Sequence, residues 1–302
     1  MPDAMTVFDR RVLRLRRDRA AATLAGHDFL YREVADRLAD RLDDVRRRFL
    51  LALDLGCHTG TLATALRGRG GIETLVNCDV APGMVALAPP PAVAGDEEAL
   101  PFADGAFDLI LSVLSLHWVN DLPGALAQIR RALRPDGLFL AAMLGGQTLK
   151  ELRQVLADAE IAAEGGLSPR VSPFVGVRDA GNLLQRAGFA LPVVDAEVIT
   201  VSYSDPLRLI EDIRGMGEAN VAIERRRQFA RRATLFDAVA RYRDRYADDR
   251  GRIPATFQVI YLTAWAPDPS QPKPLRRGSA RSSLAAALAT PETPTEGAGG
   301  AG

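Results

Sequence analysis

The stretch LALDLGCHTG at residues 51–60 decides the fold prediction, because a short apolar run leads directly into two closely spaced glycines. Asp54 lies near the end of the run, and Gly56 and Gly60 follow it four residues apart. This order is typical of a buried strand that turns tightly into a ligand-binding loop at the start of a helix. His58 stands between the glycines, where nucleotide-binding loops often carry another glycine.

Apolar runs of the same kind recur along the chain and alternate with helical patterns. We predict strands at 50–55, 74–80, 107–115, 138–144, 191–203 and 256–265. Helices are predicted at 61–66, 82–88 and 122–133, and RPDG at 134–137 is predicted to be a turn. Alternation at this spacing predicts an α/β fold in which helices cover both faces of a mostly parallel sheet.

The overall composition excludes several classes of function. Lys plus Arg equals Asp plus Glu at 38 each, so no net field attracts nucleic acid or a membrane surface. Two cysteines, Cys57 and Cys78, and three scattered histidines offer no metal-binding spacing. No apolar run is long enough to span a bilayer, and the arginine-rich start of the chain fits a basic first helix. We therefore expect a cytoplasmic protein with no nucleic-acid partner, no metal site and no integral membrane segment.

The loop at 54–60 differs from the phosphate-binding loops of other α/β proteins. It lacks the G-x-G-x-x-G of dinucleotide-binding folds, and the chain has no Gly-Lys-Ser/Thr of a P-loop. Its spacing, Asp54-x-Gly56-x-x-x-Gly60, resembles the first motif of class I S-adenosylmethionine-dependent methyltransferases. Gly56 would let the cofactor approach the backbone, Gly60 would start the next helix close to the sheet, and Asp54 would bind the cofactor's amino group.

His58 departs from the glycine-rich form of this motif, and two interpretations stay open. In the first, its backbone has an ordinary φ and its side chain is simply a loop residue. In the second, the imidazole caps the following helix or lines the cofactor. Because S-adenosylmethionine has no phosphate, the loop need not direct a cluster of amide donors at an anion.

The resemblance implies further cofactor contacts at the ends of the next strands. Asp79 would accept hydrogen bonds from the ribose hydroxyls, and Val80 would pack against the adenine. In GDEEALPF at 95–102, Asp96 would bind the adenine amino group, and the Glu97 amide would reach a ring nitrogen.

The segment SVLSLHWVND at 112–121 is predicted to form the methionine end of the site and its entrance. Ser112 and Leu114 would face the methionine part of the cofactor. His117 would lie where the substrate enters, either as a packing residue or as the proton acceptor of the reaction.

Longer motifs extend the resemblance over most of the chain before Ser279. LDLGCHTG, DVAPGM, DEEALPF and LHWVNDLPGAL resemble the type 11 and biotin-pathway (malonyl-carrier-protein) methyltransferase branch. FDRR, GGQTLKELR, EGGLSPRVSPF, GMGEAN and IPATFQVIY are similar to the mitochondrial complex I assembly factor 5 family. That family has the methyltransferase fold and is implicated in arginine hydroxylation of a complex I subunit. No transit segment precedes FDRR, so we expect a bacterial counterpart.

The same resemblance implies a Rossmann-like seven-stranded sheet that ends in an antiparallel hairpin, to which we assign the strands 191–203 and 256–265. We expect N-terminal helices at 1–48 and a methyltransferase domain at 49–266. A helical lid is expected at 204–252, with a basic helix at 222–247 that is either solvated or faces an acidic partner. The segment 267–302, rich in Pro, Gly, Ser, Thr and Ala, is expected to be a disordered tail.

Three functions are compatible with these patterns. The first is methyl transfer from S-adenosylmethionine to a protein or carrier-bound acceptor such as an acyl carrier protein, which needs a positioned nucleophile but no catalytic triad. The second is an arginine hydroxylase or assembly factor that acts on a complex I subunit, although the sequence shows no iron-binding facial triad. The third is a non-catalytic scaffold that binds S-adenosylmethionine. We adopt the first as the main prediction, with any approach to the inner membrane made through a partner.

Overall fold

A seven-stranded sheet forms the centre of the fold in this computed structural model. Its strands are β1 Leu51–Leu55, β2 Thr74–Asp79, β3 Ala92–Ala94, β4 Phe107–Val113, β5 Leu133–Leu144, β6 Ala190–Tyr203 and β7 Ile253–Trp265. They are arranged in the order β3-β2-β1-β4-β5-β7-β6, and all neighbours are parallel except β7, which runs antiparallel to both β5 and β6. The predicted mostly parallel sheet with an antiparallel C-terminal hairpin is confirmed.

The structure describes residues 6–272 and the single residues 279, 283 and 289. Met1–Asp268 forms one compact unit, and Pro269–Gly302 forms a second unit of which few residues are described. The predicted tail at 267–302 therefore lies almost entirely outside the described residues. Within the described part, no helix is both long enough and apolar enough to cross a membrane.

The sheet is flanked by helices, several of which begin at an aspartate. The helices are α1 Arg10–Ala20, α2 Phe29–Asp43, α3 Thr61–Leu66, α4 Pro82–Val85, α5 Leu122–Ala132, α6 Lys150–Glu164, α7 Val177–Arg186, α8 Pro206–Gly215 and α9 Arg232–Tyr246. Asp9 accepts a hydrogen bond from the Val12 amide at 3.1 Å and so caps α1. Asp121 and Asp205 cap α5 and α8 in the same way, each satisfying an amide that the helix itself leaves without a partner.

Alternate residues of the central strands point to opposite faces of the sheet, as the two-residue period of a strand requires. In β5, Leu138 and Leu140 belong to one core and Phe139 and Met143 to the other. The first core is covered by α2, α3, α6 and parts of α8 and α9, and the second is covered by α5 and α7. Both faces of the parallel sheet are therefore buried, which explains why its strands read as nearly continuous apolar runs.

Three predicted elements differ from the structure. The strand β3 was not predicted, because three residues between prolines and a glycine are too short to show a period. The turn predicted at 134–137 is wrong: RPDG lies within β5 as an irregular stretch, where the pairing register with β4 shifts and Asp136 has φ 59°. The basic helix predicted at 222–247 begins only at Arg232, because residues 222–231 are not helical.

Candidate active site

The carboxyl ends of β2, β1 and β4 lie side by side, because these three strands are parallel neighbours. This arrangement brings Asp54, Asp79 and Ser112 to one edge of the sheet, where ligands bind in open α/β folds. All three side chains are fully buried. Under them, α1 contributes Leu13 to a small core with Phe8, Trp118 and Val221, so the N-terminal helix packs against the same edge.

Both glycines of the loop after β1 have backbone conformations that disfavour a side chain. Gly56 has φ 77°, and a Cβ there would lie 2.1 Å from the Cβ of Ser115. Gly60 has φ 87°, and a Cβ there would lie 2.3 Å from Cδ of Pro89. The two positions therefore require glycine for both backbone conformation and space.

His58 also has a positive φ, 49°, so the interpretation of an ordinary loop backbone is wrong. Its side chain is 2% exposed, its ring lies 4.2 Å from that of Tyr31, and Nε2 is 3.2 Å from the Val113 carbonyl oxygen. No side chain caps α3, so the helix-capping role is not observed either. The His58 amide donates to Asp79 Oδ2 at 3.1 Å, and thus the backbone of His58 contributes to the site.

Asp54 is a buried carboxylate with no hydrogen-bond partner on either oxygen. Burial and the neighbouring charge of Asp79 raise its pKa to about 8, so the folded protein favours the neutral acid at pH 7. A buried polar group in this state is costly unless a partner satisfies it. Asp54 is therefore suited to receive a hydrogen-bond donor or a cation from a ligand.

Asp79, in contrast, uses both carboxylate oxygens within the protein. Oδ1 accepts from the Ala81 amide at 2.8 Å, and Oδ2 accepts from the His58 amide. Oδ2 also lies 3.4 Å from Nη1 of Arg17, which is on α1. Arg17 is 0% exposed and also donates to the Ser115 hydroxyl at 3.1 Å. Sequence patterns gave no sign of this contact, because Arg17 is one of many arginines in a basic helix.

Asp96 and Glu97 follow β3 and are bridged by a second arginine of α1. Arg10 Nη2 donates to Asp96 Oδ1 at 2.6 Å and also to Glu97 Oε2. Glu97 is 0% exposed, and its Oε1 accepts from the Ser115 hydroxyl at 2.5 Å. Although burial opposes ionisation, Arg10, Arg17 and the Ser115 hydrogen bond lower the Glu97 pKa to about 2. Only the Glu97 amide was predicted to belong to the site, and no sequence pattern indicated its ionised, buried side chain.

Glu218, from the GMGEAN segment after α8, is the third carboxylate near Arg17, with Oε1 at 3.9 Å from Nη2. Its Oε1 accepts from the Tyr31 hydroxyl at 2.9 Å, and its Oε2 accepts from Trp118 Nε1 at 2.8 Å. His117 Nε2 lies 2.9 Å from Oε2. Burial opposes ionisation of Glu218, but His117 and Arg17 lower its pKa to about 2.

His117 is held at both ring nitrogens. While Nε2 faces Glu218, Nδ1 accepts from the Leu144 amide at 3.5 Å. Its ring also contacts Trp118 and Phe174, at centroid distances of 5.0 and 5.5 Å. In this arrangement His117 contacts Glu218 and packs against the two aromatic rings, and its roles at the substrate entrance and as a proton acceptor stay predictions.

The remaining predicted site residues lie at the same sheet edge. The Ser112 hydroxyl donates to the Leu55 carbonyl oxygen at 2.7 Å, so it links the ends of β4 and β1. Leu114 is buried with φ 50°, and Val80 is half-buried after β2. Among the described residues, no group of three or more His, Cys, Asp or Glu side chains is arranged to hold a metal ion.

Comparison with known proteins shows which families this chain resembles. A family model described as a methyltransferase domain matches residues 53–141, which span β1 to β5. The chain is 44% identical to the arginine-hydroxylase NDUFAF5 of Danio rerio over 288 residues, which cover 93% of this chain and 89% of that protein. It is 38% identical to the malonyl-[acyl-carrier protein] O-methyltransferase of Laribacter hongkongensis, covering 86% of this chain and 90% of that protein.

Solved structures agree with the fold. The YcgJ protein of a Bacillus species superimposes with a TM-score of 0.54, 16% sequence identity, and coverage of 76% of this chain and 98% of that one. At this level of identity the match supports the fold alone.

We expect Asp54→Asn to raise the free energy of unfolding at pH 8 by about 1 kcal/mol or more, because it removes a buried carboxylate that lacks a partner. The folded-state pKa of Asp54 is about 8 against an ordinary value of 3.8, so wild type loses stability as the pH rises between these values. The gain from the substitution should therefore grow from pH 4 to pH 8. Denaturant titrations at several pH values test this, with the exposed Asp249→Asn as control. A variant less stable than wild type at pH 8 would contradict it.

We expect Glu218→Gln to lower the free energy of unfolding at pH 7 by about 3 kcal/mol, because it removes a negative charge that compensates Arg17 in a buried site. The Glu218 pKa is about 2 in the folded protein against an ordinary 4.5, so its contribution is present above pH 4.5 and is lost as the pH falls toward 2. The stability difference between wild type and variant should shrink over that window. A difference independent of pH would show that Glu218 is not ionised in the fold.

Proposed function

This chain belongs to the S-adenosylmethionine-dependent methyltransferase family that includes the NDUFAF5 arginine hydroxylases and the malonyl-[acyl-carrier protein] O-methyltransferases, and we propose that it binds S-adenosylmethionine at the ends of β1 and β2. We further propose that it uses this cofactor to modify a protein or carrier-bound acceptor. We also propose that it acts in the bacterial cytoplasm and approaches the inner membrane only through a partner.

The observation that carries this proposal is the unpartnered Asp54 carboxylate beside Gly56. S-adenosylmethionine has an ammonium group, and such a group would satisfy the buried carboxylate. Gly56 keeps the backbone free of a Cβ beside it, and Asp79 at the end of β2 presents the carboxylate that would bind the ribose hydroxyls. These carboxylate acceptors fit the hydrogen-bond donors of the cofactor.

The charge of the site also suits this cofactor. Two guanidinium groups, Arg10 and Arg17, lie within 4 Å of five carboxylates, those of Asp79, Asp96, Glu97, Glu98 and Glu218. The site therefore has an excess of negative charge that favours a cationic ligand. Bound S-adenosylmethionine would supply an electrophilic methyl group on a positively charged sulfonium.

The residues of this chain would position the reactants and exclude water. Trp118 is fully buried, and its ring lies 6.1 Å from that of Phe174, so aromatic side chains close the entrance. Beyond Phe174 lies a cavity of about 670 Å³, whose lining includes Arg153, Val171 and Glu224. A partly apolar cavity with a few charged groups, next to the entrance, is a suitable binding place for the acceptor.

Hydroxylation of an arginine in a respiratory complex I subunit is the second candidate function. It is favoured by the 44% identity with NDUFAF5 over nearly the whole chain, which exceeds the 38% identity with the malonyl-[acyl-carrier protein] O-methyltransferase. The two candidates differ in the modification that they leave on the acceptor. They can therefore be separated by the mass of the product.

We expect peptide mass spectrometry of cells with and without this gene to reveal one modified peptide that depends on the protein. A methylene's mass lost in the deletion strain would support methyl transfer to a protein. The mass of one oxygen lost from an arginine-containing peptide of a complex I subunit would support hydroxylation. If neither change occurs, the free carboxylate of an acyl group bound to a carrier protein is the acceptor to test next, by the same comparison on intact carrier protein.

We expect Asp79→Asn to weaken binding of S-adenosylhomocysteine by about tenfold or more, because a neutral amide replaces the charged acceptor of the ribose hydroxyls. Isothermal titration calorimetry measures the affinity, and the exposed Asp249→Asn serves as the matched control. Equal affinity in Asp79→Asn and wild type would show that the ribose does not bind at the end of β2.

A further inference from the structure

Two arginines of α1 reach the site from one face of the helix. Arg10 and Arg17 are seven residues apart, which is about two helical turns, so their side chains project in nearly the same direction. Arg10 binds the carboxylates of Asp96 and Glu97 at the edge of the site. Arg17 enters more deeply and is 0% exposed. The helix therefore inserts its own cations among the carboxylates that the cofactor is expected to use.

Arg17 is enclosed by carboxylates from three separate parts of the chain. The distances from its guanidinium nitrogens are 3.4 Å to Asp79, 3.7 Å to Glu97 and 3.9 Å to Glu218. A hydrogen bond to the Ser115 hydroxyl completes the enclosure. Although burial opposes the charge, these carboxylates raise the Arg17 pKa above its ordinary value, so the group is a cation here. We call Asp79, Glu97, Glu218 and Ser115 the guanidinium cage.

The contacts of Arg17 leave several hydrogen-bonding atoms unsatisfied. Its Nε and Nη2 have no hydrogen-bond partner, and neither has the Asp54 carboxylate in the same site. Buried polar atoms without partners raise the free energy of this form. A second form, in which these atoms form hydrogen bonds with water or a ligand, can therefore be close to the closed form in free energy.

The cofactor and Arg17 need the same carboxylate. Asp79 has one oxygen on the Ala81 amide and the other on the His58 amide and Arg17, and it is 0% exposed. Because the carboxylate is completely enclosed and Arg17 lies against its second oxygen, a ribose hydroxyl can reach Asp79 only if the neighbouring groups move. In addition, Ser115 lies directly over Gly56, where a ligand would need to approach the backbone.

We propose that the guanidinium cage is a binding site for a guanidinium group, that Arg17 fills it in this closed form, and that S-adenosylmethionine binds only after Arg17 has withdrawn. This inference rests on the proposed function, because it takes Asp79 as the ribose-binding carboxylate. Arg17 thus determines how large a fraction of the protein is competent to bind the cofactor.

Withdrawal of Arg17 requires movement of α1, and its surroundings indicate what moves with it. Gly217, with φ 79°, lies so close to α1 that a Cβ there would be 3.4 Å from the Arg17 Cα. The Asp9 amide donates to the Val221 carbonyl oxygen at 2.9 Å, and Asp9 also pairs with Arg225. The start of α1 is therefore attached to residues 217–225. The 3-10 helix Ala21–Gly26 connects α1 to α2, and we expect α1 to pivot there.

Calorimetric titration with S-adenosylhomocysteine tests the exclusion, that is, whether Arg17 in the closed form prevents the cofactor from binding. Arg17→Ala should bind about tenfold more tightly than wild type, because the closed form no longer competes. Arg14→Ala, an exposed position on the same helix, should bind as wild type does. Equal or weaker binding by Arg17→Ala would overturn the exclusion, and weaker binding would instead make Arg17 a cofactor ligand. Because Arg17→Ala keeps the Asp79 carboxylate, tighter binding by this variant supports the exclusion whatever the affinity of Asp79→Asn.

Hydrogen exchange on the wild-type protein covers the case in which Arg17→Ala does not fold. Saturation with S-adenosylhomocysteine should speed amide exchange in α1, residues 10–20, while β1 and β4 stay protected. Unchanged or slower exchange in α1 would overturn the withdrawal.

Chemical rescue tests the cage without the cofactor. Millimolar ethylguanidinium should raise the melting temperature of Arg17→Ala but not that of wild type or Arg14→Ala, and ethylammonium at equal concentration should have a smaller effect. The same response in all three proteins would overturn the cage. If no protein binds S-adenosylhomocysteine, both the proposed cofactor site and the exclusion are wrong, whereas a specific rescue would still support the cage.

Discussion

Carboxylates buried at the ends of parallel strands need buried cations, and this requirement connects distant parts of the chain. Asp79 and Glu97 follow β2 and β3, and Glu218 follows α8, yet all three lie within 4 Å of one guanidinium from α1. Removing one partner from such a buried group is strongly destabilising, because the remaining charges lose their compensation. The N-terminal helix is therefore an integral part of the site in this closed form.

In the loop after β1, a histidine replaces a glycine because the backbone of that residue, not its side chain, makes the required contact. His58 stands where a glycine is expected and still adopts φ 49°, a conformation that histidine tolerates better than most residues. Its amide supports Asp79, and its ring packs on Tyr31. Burial and the charge of Arg17 lower the His58 pKa to about 4, so the ring is neutral and adds no repulsion inside the site.

The parts of the fold that local patterns encode were predicted from the sequence. Six strands were readable because apolar runs of a parallel sheet are nearly continuous, and the two glycines of the loop marked the edge of the sheet that carries the site. β3 could not be predicted from the sequence, because its three residues are too few to show an alternating apolar pattern and they form a strand only by pairing with β2. At 222–231, Arg225 and Arg226 bind Asp9, Glu160 and Glu164, and these tertiary ion pairs are compatible with a non-helical backbone.

The pairing of Arg17 with Asp79 and Glu218 lay beyond sequence reasoning for a different reason. These partners are separated by 62 residues in one case and by about 200 in the other, so no local window contains them. A cage of carboxylates selects for positive charge and for planar, multiple donors, properties that a guanidinium has in full. A sulfonium with an ammonium group offers the charge without the planar fork. We therefore propose that the cage favours Arg17 over the cofactor in this closed form, and that the acceptor binds separately, in the cavity lined by Phe174, whose ring lies next to that of Trp118.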